Sequence, residues 1–120
     1  MRILVVDDSR AMRRIIERML VLAGYDHHDI VHAADAVEAT RLMAEQPPDL
    51  ILCDWNMPGT NGLEFLTAIR RAGWTTPFGF ITSEASPAMR EQALAAGALF
   101  LIAKPFTPEE FHAALDPVLA

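Results

Sequence analysis

The sequence predicts a doubly wound α/β fold, in which one five-stranded parallel sheet is covered by helices on both faces. Five short apolar runs alternate with segments whose apolar residues recur at helical spacing, and this alternation is typical of parallel sheets. The connections are short and no internal repeat occurs, so we expect one domain over residues 1–120. The predicted strands are residues 3–6, 30–33, 50–53, 78–82 and 99–103.

The first strand and helix are the clearest pair. Residues 3–6 are rich in β-branched side chains and end at two carboxylates, Asp7 and Asp8. Apolar residues at helical spacing then predict an amphipathic helix over residues 9–23, which Gly24 ends.

The second strand is predicted less strongly, because it follows a polar stretch. After it, Asp35 and Glu38 have the spacing of an N-terminal capping box. They predict a helix over residues 36–45, which must stop before Pro47.

The third strand is the centre of the predicted site. Residues 50–53 are a continuous apolar run, typical of a fully buried strand, and the run stops at Asp54. Asn61 and Glu64 again have capping-box spacing and predict a helix that ends near Gly73. The apolar face predicted for this helix comprises Leu63, Leu66 and Ile69.

The fourth strand contains Gly79, a residue that in strands often marks close packing against a neighbour. Ser86 and Pro87 then combine a cap with a first-turn proline, predicting a helix to Ala96.

The fifth strand ends at Lys104. The sequence from Thr107 through Pro108 to Glu110 predicts the start of the last helix, because it places a capping hydroxyl, a first-turn proline and an acid in order.

Composition excludes several classes of protein. The net charge of -6 argues against sequence-independent binding to nucleic acid, which requires many Lys and Arg contacts to phosphates. No apolar run approaches the roughly 20 residues that span a bilayer, so we expect no membrane insertion. The single Cys53 cannot form an intrachain disulfide and indicates a reducing, cytoplasmic location.

The ends of the predicted strands carry the residues that indicate a chemistry. In a parallel sheet these ends share one edge, which brings together Asp7, Asp8, Asp54, Thr82 and Lys104. Two carboxylates about 4 Å apart repel by about 4 kcal/mol at an effective dielectric near 20, and one lysine cannot neutralise three acids. Hard oxygen ligands of this charge favour Mg²⁺ and a phosphate substrate. A carboxylate beside Mg²⁺ can attack phosphorus, and Asp54 has the central position for that role.

These residues lie in motifs that resemble the CheY-like receiver domains of two-component response regulators. The resemblance covers essentially the whole chain. The motifs are Val5-Val6-Asp7-Asp8-Ser9 with Met12-Arg13-Arg14-Ile15, Asp54-Trp55-Asn56-Met57-Pro58, Thr82-Ser83-Glu84-Ala85 and Lys104-Pro105-Phe106.

The resemblance implies a flavodoxin-like strand order of 2-1-3-4-5 and a set of roles for the acids. It makes Asp54 the phosphoacceptor. Asp8, Asp54 and the main-chain carbonyl of Asn56 become direct Mg²⁺ ligands, with Asp7 holding the metal through water.

The remaining implied roles concern activation and partners. Thr82 and Lys104 match residues that bind the phosphoryl group, and Pro105 matches a proline preceded by a cis peptide bond. The implied partners are a histidine kinase or histidine phosphotransfer protein and a downstream protein target, such as chemotaxis or motility machinery. This chain departs from many relatives at Leu101, where an aromatic residue is usual. Strand alternation directs the neighbouring Phe100 to the opposite face, so we expect aromatic gating to be weak or absent.

Two other functions remain open from sequence. One is an Mg²⁺-dependent phosphohydrolase with Asp54 as nucleophile, although Asn56 stands where haloacid-dehalogenase-like enzymes carry a general acid. The other is a pseudo-receiver that binds partners without phosphorylation. The intact acidic set and Lys104 argue against that reading.

Individual residues also have simpler interpretations. The aspartates could cap the helices that follow them. The arginines of the first helix could form a solvated face or a partner surface: Arg10, Arg13, Arg14 and Arg18. Three histidines invite a zinc interpretation but are more often solvated in such a position: His27, His28 and His32.

Overall fold

A five-stranded parallel sheet forms the centre of the computed structural model, which describes residues 1–26 and 28–119. The strands are β1 (Arg2–Val6), β2 (Asp29–Ala33), β3 (Leu50–Cys53), β4 (Phe78–Thr82) and β5 (Phe100–Ala103). The helices are α1 (Arg10–Leu22), α2 (Ala36–Glu45), α3 (Gly62–Arg71), α4 (Pro87–Ala95) and α5 (Pro108–Leu119). The spatial order is β2-β1-β3-β4-β5 and every pairing is parallel, which confirms the predicted fold class and the implied order. None of the helices described is long and apolar enough to cross a bilayer.

The helices begin at the predicted caps. The side chains of Asp35, Asn61 and Ser86 each accept a main-chain N–H from the third residue of their helix. Asn61 and Glu64 form the complete reciprocal box. Local hydrogen bonding therefore fixes where α2, α3 and α4 start.

The apolar face of α3 differs from the prediction in one residue. Phe65 is buried together with Leu66 and Ile69, whereas Leu63 is only partly buried. The reason is Gly62, which is itself buried at the start of the helix and shares the inward face with Phe65 and Ile69. Because glycine has no side chain, the sequence pattern does not reveal this rotation of the helix.

The sheet separates two cores. Alternate residues of β1 contribute to each, so Leu4 and Val6 face α2, α3 and α4, whereas Ile3 and Val5 face α1 and α5. Strands that are buried on both faces read as continuous apolar runs, as observed. The sheet thereby provides a rigid platform for the residues at its carboxyl edge.

The prediction for Gly79 and the Phe100–Leu101 pair is confirmed. Gly79 lies opposite Phe100 in the β4–β5 register, and a Cβ at residue 79 would overlap the Phe100 ring, lying 2.7 Å from its Cδ1. Phe100 packs on the side of α1 and α5, whereas Leu101 is buried on the other side of the sheet. Phe100 therefore cannot replace an aromatic side chain at position 101.

Candidate functional site

The carboxyl edge of the sheet gathers the predicted site residues. Asp7 and Asp54 directly follow β1 and β3, Thr82 is the last residue of β4, and Lys104 directly follows β5. Asp7, Asp54 and Thr82 are buried, and no other acid, base, amide or aliphatic hydroxyl in the described part of the chain is buried to this degree. Because buried charge is unfavourable unless it is paired, the two buried carboxylates require a positive charge and hydrogen-bond donors beside them.

Lys104 lies between two of the acids. Its Nζ is 3.4 Å from Asp7 Oδ2 and 3.6 Å from Asp54 Oδ2. Both distances exceed the roughly 2.8 Å of a tight charge-assisted hydrogen bond. The main-chain N–H of Lys104 donates to the Thr82 carbonyl at 2.7 Å, and this hydrogen bond joins the ends of β4 and β5. The ammonium is thus shared by two carboxylates and is not bound closely to either.

Asp7 is held at each of its polar atoms. Its N–H donates to the Ala33 carbonyl at 3.1 Å, and its Oδ1 accepts the Ser9 N–H at 2.8 Å. Its carbonyl accepts a hydrogen bond from Arg13 Nη1 at 2.6 Å, while Oδ2 faces Lys104. The orientation of Asp7 is therefore fixed by one neighbour in β2, one in α1 and two in the segments before α1 and after β5.

Three carboxylates meet at the edge of the sheet. Oxygens of Asp7, Asp8 and Asp54 lie within 4.8 Å of one another, and Asp8 is exposed to solvent. At that separation each charged pair repels by about 3.5 kcal/mol at an effective dielectric near 20. Lys104 offsets one negative charge, so the group retains a net negative charge. Hard oxygen donors with an open, solvated side fit Mg²⁺, which keeps several waters in its coordination shell.

The environment of Asp54 disfavours its charged form. Burial raises the pKa of the Asp54 carboxyl above its ordinary value; Lys104 opposes this shift, and the charge of Asp7 adds to it. The Asn56 N–H, which lies 3.3 Å from Asp54 Oδ1, also opposes the shift and folds the following loop back over the carboxylate. Burial likewise raises the pKa of the Cys53 thiol well above its ordinary value, so Cys53 stays neutral. A cation bound beside Asp54 would therefore relieve the cost of its buried negative charge.

The interpretation of the aspartates as helix caps is wrong. The cap of α1 is Ser9, whose Oγ accepts the Met12 N–H at 3.1 Å. The cap of α3 is Asn61. The carboxylates of Asp7 and Asp54 instead point into the shared site.

Gly62 belongs to the site but was not identified from the sequence. Its N–H donates to the Trp55 carbonyl at 2.8 Å. A Cβ at this position would overlap the Asp54 carbonyl and would lie 2.9 Å from the Phe80 ring. Glycine therefore lets α3 pack directly on the main chain of the candidate nucleophile. The available signal was a poor helix former placed immediately after the strong cap Asn61.

The arginines of α1 divide into two kinds. Arg10, Arg14 and Arg18 are exposed, as a solvated or partner-binding face requires. Arg13 is partly buried and turns toward the end of β1, where it contacts the Asp7 carbonyl. Sequence periodicity did not distinguish Arg13 from the others.

The histidines form no metal group in the residues that are described. His32 Nε2 lies 2.7 Å from Glu17 Oε1, and the His28 ring packs 5.8 Å from the Tyr25 ring. His27 lies outside the described residues. Within residues 1–26 and 28–119, the three site aspartates are the one group of metal-ligating side chains.

The chain resembles known proteins in both sequence and structure. The family model for the response regulator receiver domain matches residues 3–116. A chemotaxis protein CheY homolog of Campylobacter jejuni is 39% identical over 99% of this chain and 92% of its own length. Chemotaxis protein CheY1 of Helicobacter pylori is 40% identical, over 99% of this chain and 97% of its own length. The crystal structure of chemotaxis protein CheY4 of Vibrio cholerae aligns with a TM-score of 0.86 at 36% identity and covers 98% of each chain.

Proposed function

The chain belongs to the response regulator receiver domain family, and from this membership we propose that it is a phosphorylation-controlled signalling module. In this proposal Asp54 accepts a phosphoryl group in a Mg²⁺-dependent reaction. The observation that carries the proposal is the buried Asp54 carboxylate, which shares Lys104 with Asp7 and has oxygens of both Asp7 and Asp8 within 4.8 Å.

The proposed reaction follows from the positions of the side chains. An Asp54 oxygen attacks the phosphorus of a phosphohistidine, the P–O bond forms, and the P–N bond breaks with its electron pair leaving on the imidazole. Lys104, already beside Asp54, moves onto a phosphoryl oxygen. Thr82 Oγ1 accepts the Glu84 N–H at 3.3 Å, so the hydroxyl proton of Thr82 is free to be donated to a phosphoryl oxygen. Asp8, Asp54 and the Asn56 carbonyl would hold Mg²⁺ directly, and Asp7 would hold it through water; the bound ion would supply positive charge to the transferring group.

Contacts of this kind are sufficient for a switch. Moving an equilibrium from 1:99 to 99:1 requires about 5.5 kcal/mol. Hydrogen bonds to charged groups contribute roughly 1.5 to 3 kcal/mol each. Two phosphoryl contacts at the upper end of this range, or three at about 2 kcal/mol each, supply the required free energy, and Thr82, Lys104 and nearby main-chain N–H groups can make them.

The proposed partners are those expected of the family. A histidine kinase or histidine phosphotransfer protein supplies the phosphoryl group, and a downstream protein reads it. The chemotaxis names of the relatives support a target in chemotaxis or motility machinery. We further propose that residues 1–120 act as one cytoplasmic domain that binds neither membranes nor nucleic acid.

The test is phosphorylation by a small donor. The protein is incubated with Mg²⁺ and acetyl phosphate or phosphoramidate, and its intact mass is followed over time. We expect the mass to rise by one phosphoryl group, hydroxylamine to remove that group, and EDTA or Asp54→Asn to prevent its addition. Asp49→Asn is the matched control, since Asp49 lies before β3 and accepts a hydrogen bond from Arg2.

The same experiment separates the alternatives. Steady release of phosphate without an adduct would support a phosphohydrolase, and no reaction at all would support a pseudo-receiver. A second experiment addresses the target. The protein is used as bait with and without a phosphoryl mimic such as beryllofluoride. The target should be enriched on the bait that carries the mimic, relative to the untreated bait, and should be absent when the bait is Asp54→Asn.

A further inference from the structure

The side chain of Arg13 holds the main chain just after β1, beside the three carboxylates. Its Nη1 donates to the Asp7 carbonyl at 2.6 Å, a short hydrogen bond for this pair of atoms. Its Nε is buried and has no hydrogen-bond partner among the described residues. The guanidinium is therefore held in place beside the acids, although none of the described carboxylates forms an ion pair with it.

The contact with Asp7 determines where Asp8 lies. The Asp7 carbonyl and the Asp8 N–H belong to one planar peptide unit, so fixing the carbonyl also fixes the direction in which the chain enters Asp8. The Asp8 carboxylate has no hydrogen bond or ion pair of its own within the described part of the chain. Its distance of at most 4.8 Å from the Asp7 and Asp54 oxygens thus depends on the main chain.

We propose that Arg13 is a positioning residue for the metal site, acting through the Asp7 carbonyl to place the Asp8 carboxylate. This inference rests on the proposed function, because it concerns the same Mg²⁺ site. Partners that orient metal ligands without touching the metal typically change affinity by about 10 to 100-fold when removed.

The sign of the effect separates positioning from simple electrostatics. Arg13 carries a positive charge, and a cation near the site repels Mg²⁺. If charge were its only contribution, removing it would tighten Mg²⁺ binding. Positioning predicts the opposite, since the acids lose their arrangement when the Asp7 peptide is released.

The test measures Mg²⁺ affinity in the full chain without any phosphodonor. Trp55, partly buried beside the site, reports binding by fluorescence, and calorimetric titration gives an independent dissociation constant. Arg13→Met keeps the bulk of the side chain but removes its donors. Arg14→Met is the matched control, because it removes an exposed positive charge one residue away. Arg13→Lys retains the charge and one donor group.

We expect Arg13→Met to weaken Mg²⁺ binding by about 10-fold or more, Arg13→Lys to recover most of that loss, and Arg14→Met to bind like the wild type. Urea unfolding of each variant shows whether it is folded, and Arg13→Leu, which also lacks a donor, replaces Arg13→Met if the latter does not fold. Unchanged or tighter Mg²⁺ binding by a folded Arg13→Met or Arg13→Leu protein overturns the positioning role, whatever its stability. If the wild type itself binds no Mg²⁺, the proposed function fails first and the role of Arg13 with it.

Discussion

Replacing Asp54 by Asn should stabilise the metal-free protein. Asp54 lies within 4.8 Å of the Asp7 and Asp8 oxygens, so each pair repels by about 3.5 kcal/mol at an effective dielectric near 20. The attraction between Asp54 and Lys104 at 3.6 Å contributes about 4.6 kcal/mol in the opposite direction at the same dielectric. The net repulsion is about 2.4 kcal/mol. Solvent screening of the exposed Asp8 reduces this value, whereas the burial of Asp54 makes its charge less favourable still. We expect Asp54→Asn to raise the free energy of unfolding by about 1 to 2 kcal/mol at neutral pH.

The gain should depend on pH in a defined direction. The pKa of Asp54 is raised in the folded protein, so folding favours its protonated form. The contribution of Asp54 to the stability of the wild type therefore falls as pH rises from the unfolded pKa, about 4, through the raised folded pKa. The advantage of Asn is absent below this window and complete above it.

Urea unfolding at a series of pH values, with EDTA and then with Mg²⁺, measures the effect. Mg²⁺ should stabilise the wild type more than Asp54→Asn and so reduce the difference between them. Asp49→Asn provides the contrast, because Asp49 accepts the Arg2 N–H at 2.7 Å and its replacement should bring no gain. A metal-free Asp54→Asn protein that is less stable than the wild type at pH 7, or whose advantage persists in acid, would refute the reasoning.

Three further outcomes follow from packing and burial. Gly62→Ala should destabilise the protein by about 1 to 3 kcal/mol in urea unfolding and slow phosphorylation of Asp54, because the added Cβ overlaps the Asp54 carbonyl; an unchanged rate would contradict this. Gly79→Ala should likewise lower the free energy of unfolding by about 1 to 3 kcal/mol, because the Phe100 ring occupies the space that the new Cβ needs. Adding Phe100→Leu should recover part of this loss, and equal losses with and without Phe100→Leu would show that the contact is unimportant. Cys53, which is fully buried with a raised pKa, should react with thiol reagents only after unfolding, and labelling of the native protein on mixing would disprove this.

Most of the fold could be predicted because each local signal agreed with the global pattern. Apolar runs such as Leu50–Cys53 end at a charged residue, and caps such as Asn61 mark the next helix. Predicted strand bounds lie within one residue of those observed for all five strands. The rotation of α3 was missed for a physical reason. Gly62 faces the core without contributing an apolar side chain, so periodicity assigned the inward position to Leu63 instead of Phe65.

The sequence predicted which acids meet at the candidate site, but not the side chain that holds the main chain beside them. Asp7, Asp54, Thr82 and Lys104 all stand at strand ends, and a parallel sheet necessarily brings such ends together. The support from Arg13 depends instead on one side chain reaching back across a turn to a carbonyl. Arginines on an amphipathic helix look alike in sequence, so only the three-dimensional arrangement separates the one that turns inward.

Lys104 has a practical consequence beyond its contacts with the acids. It is the only lysine in the sequence, whose other basic side chains apart from histidine are arginines. Reagents that acylate primary amines will therefore meet one target besides the main-chain N-terminus, and that target lies between Asp7 and Asp54. Attaching a dye or a sensor surface through amines would alter the candidate site itself. Conversely, the rate at which Lys104 is acetylated would report whether a ligand covers this site.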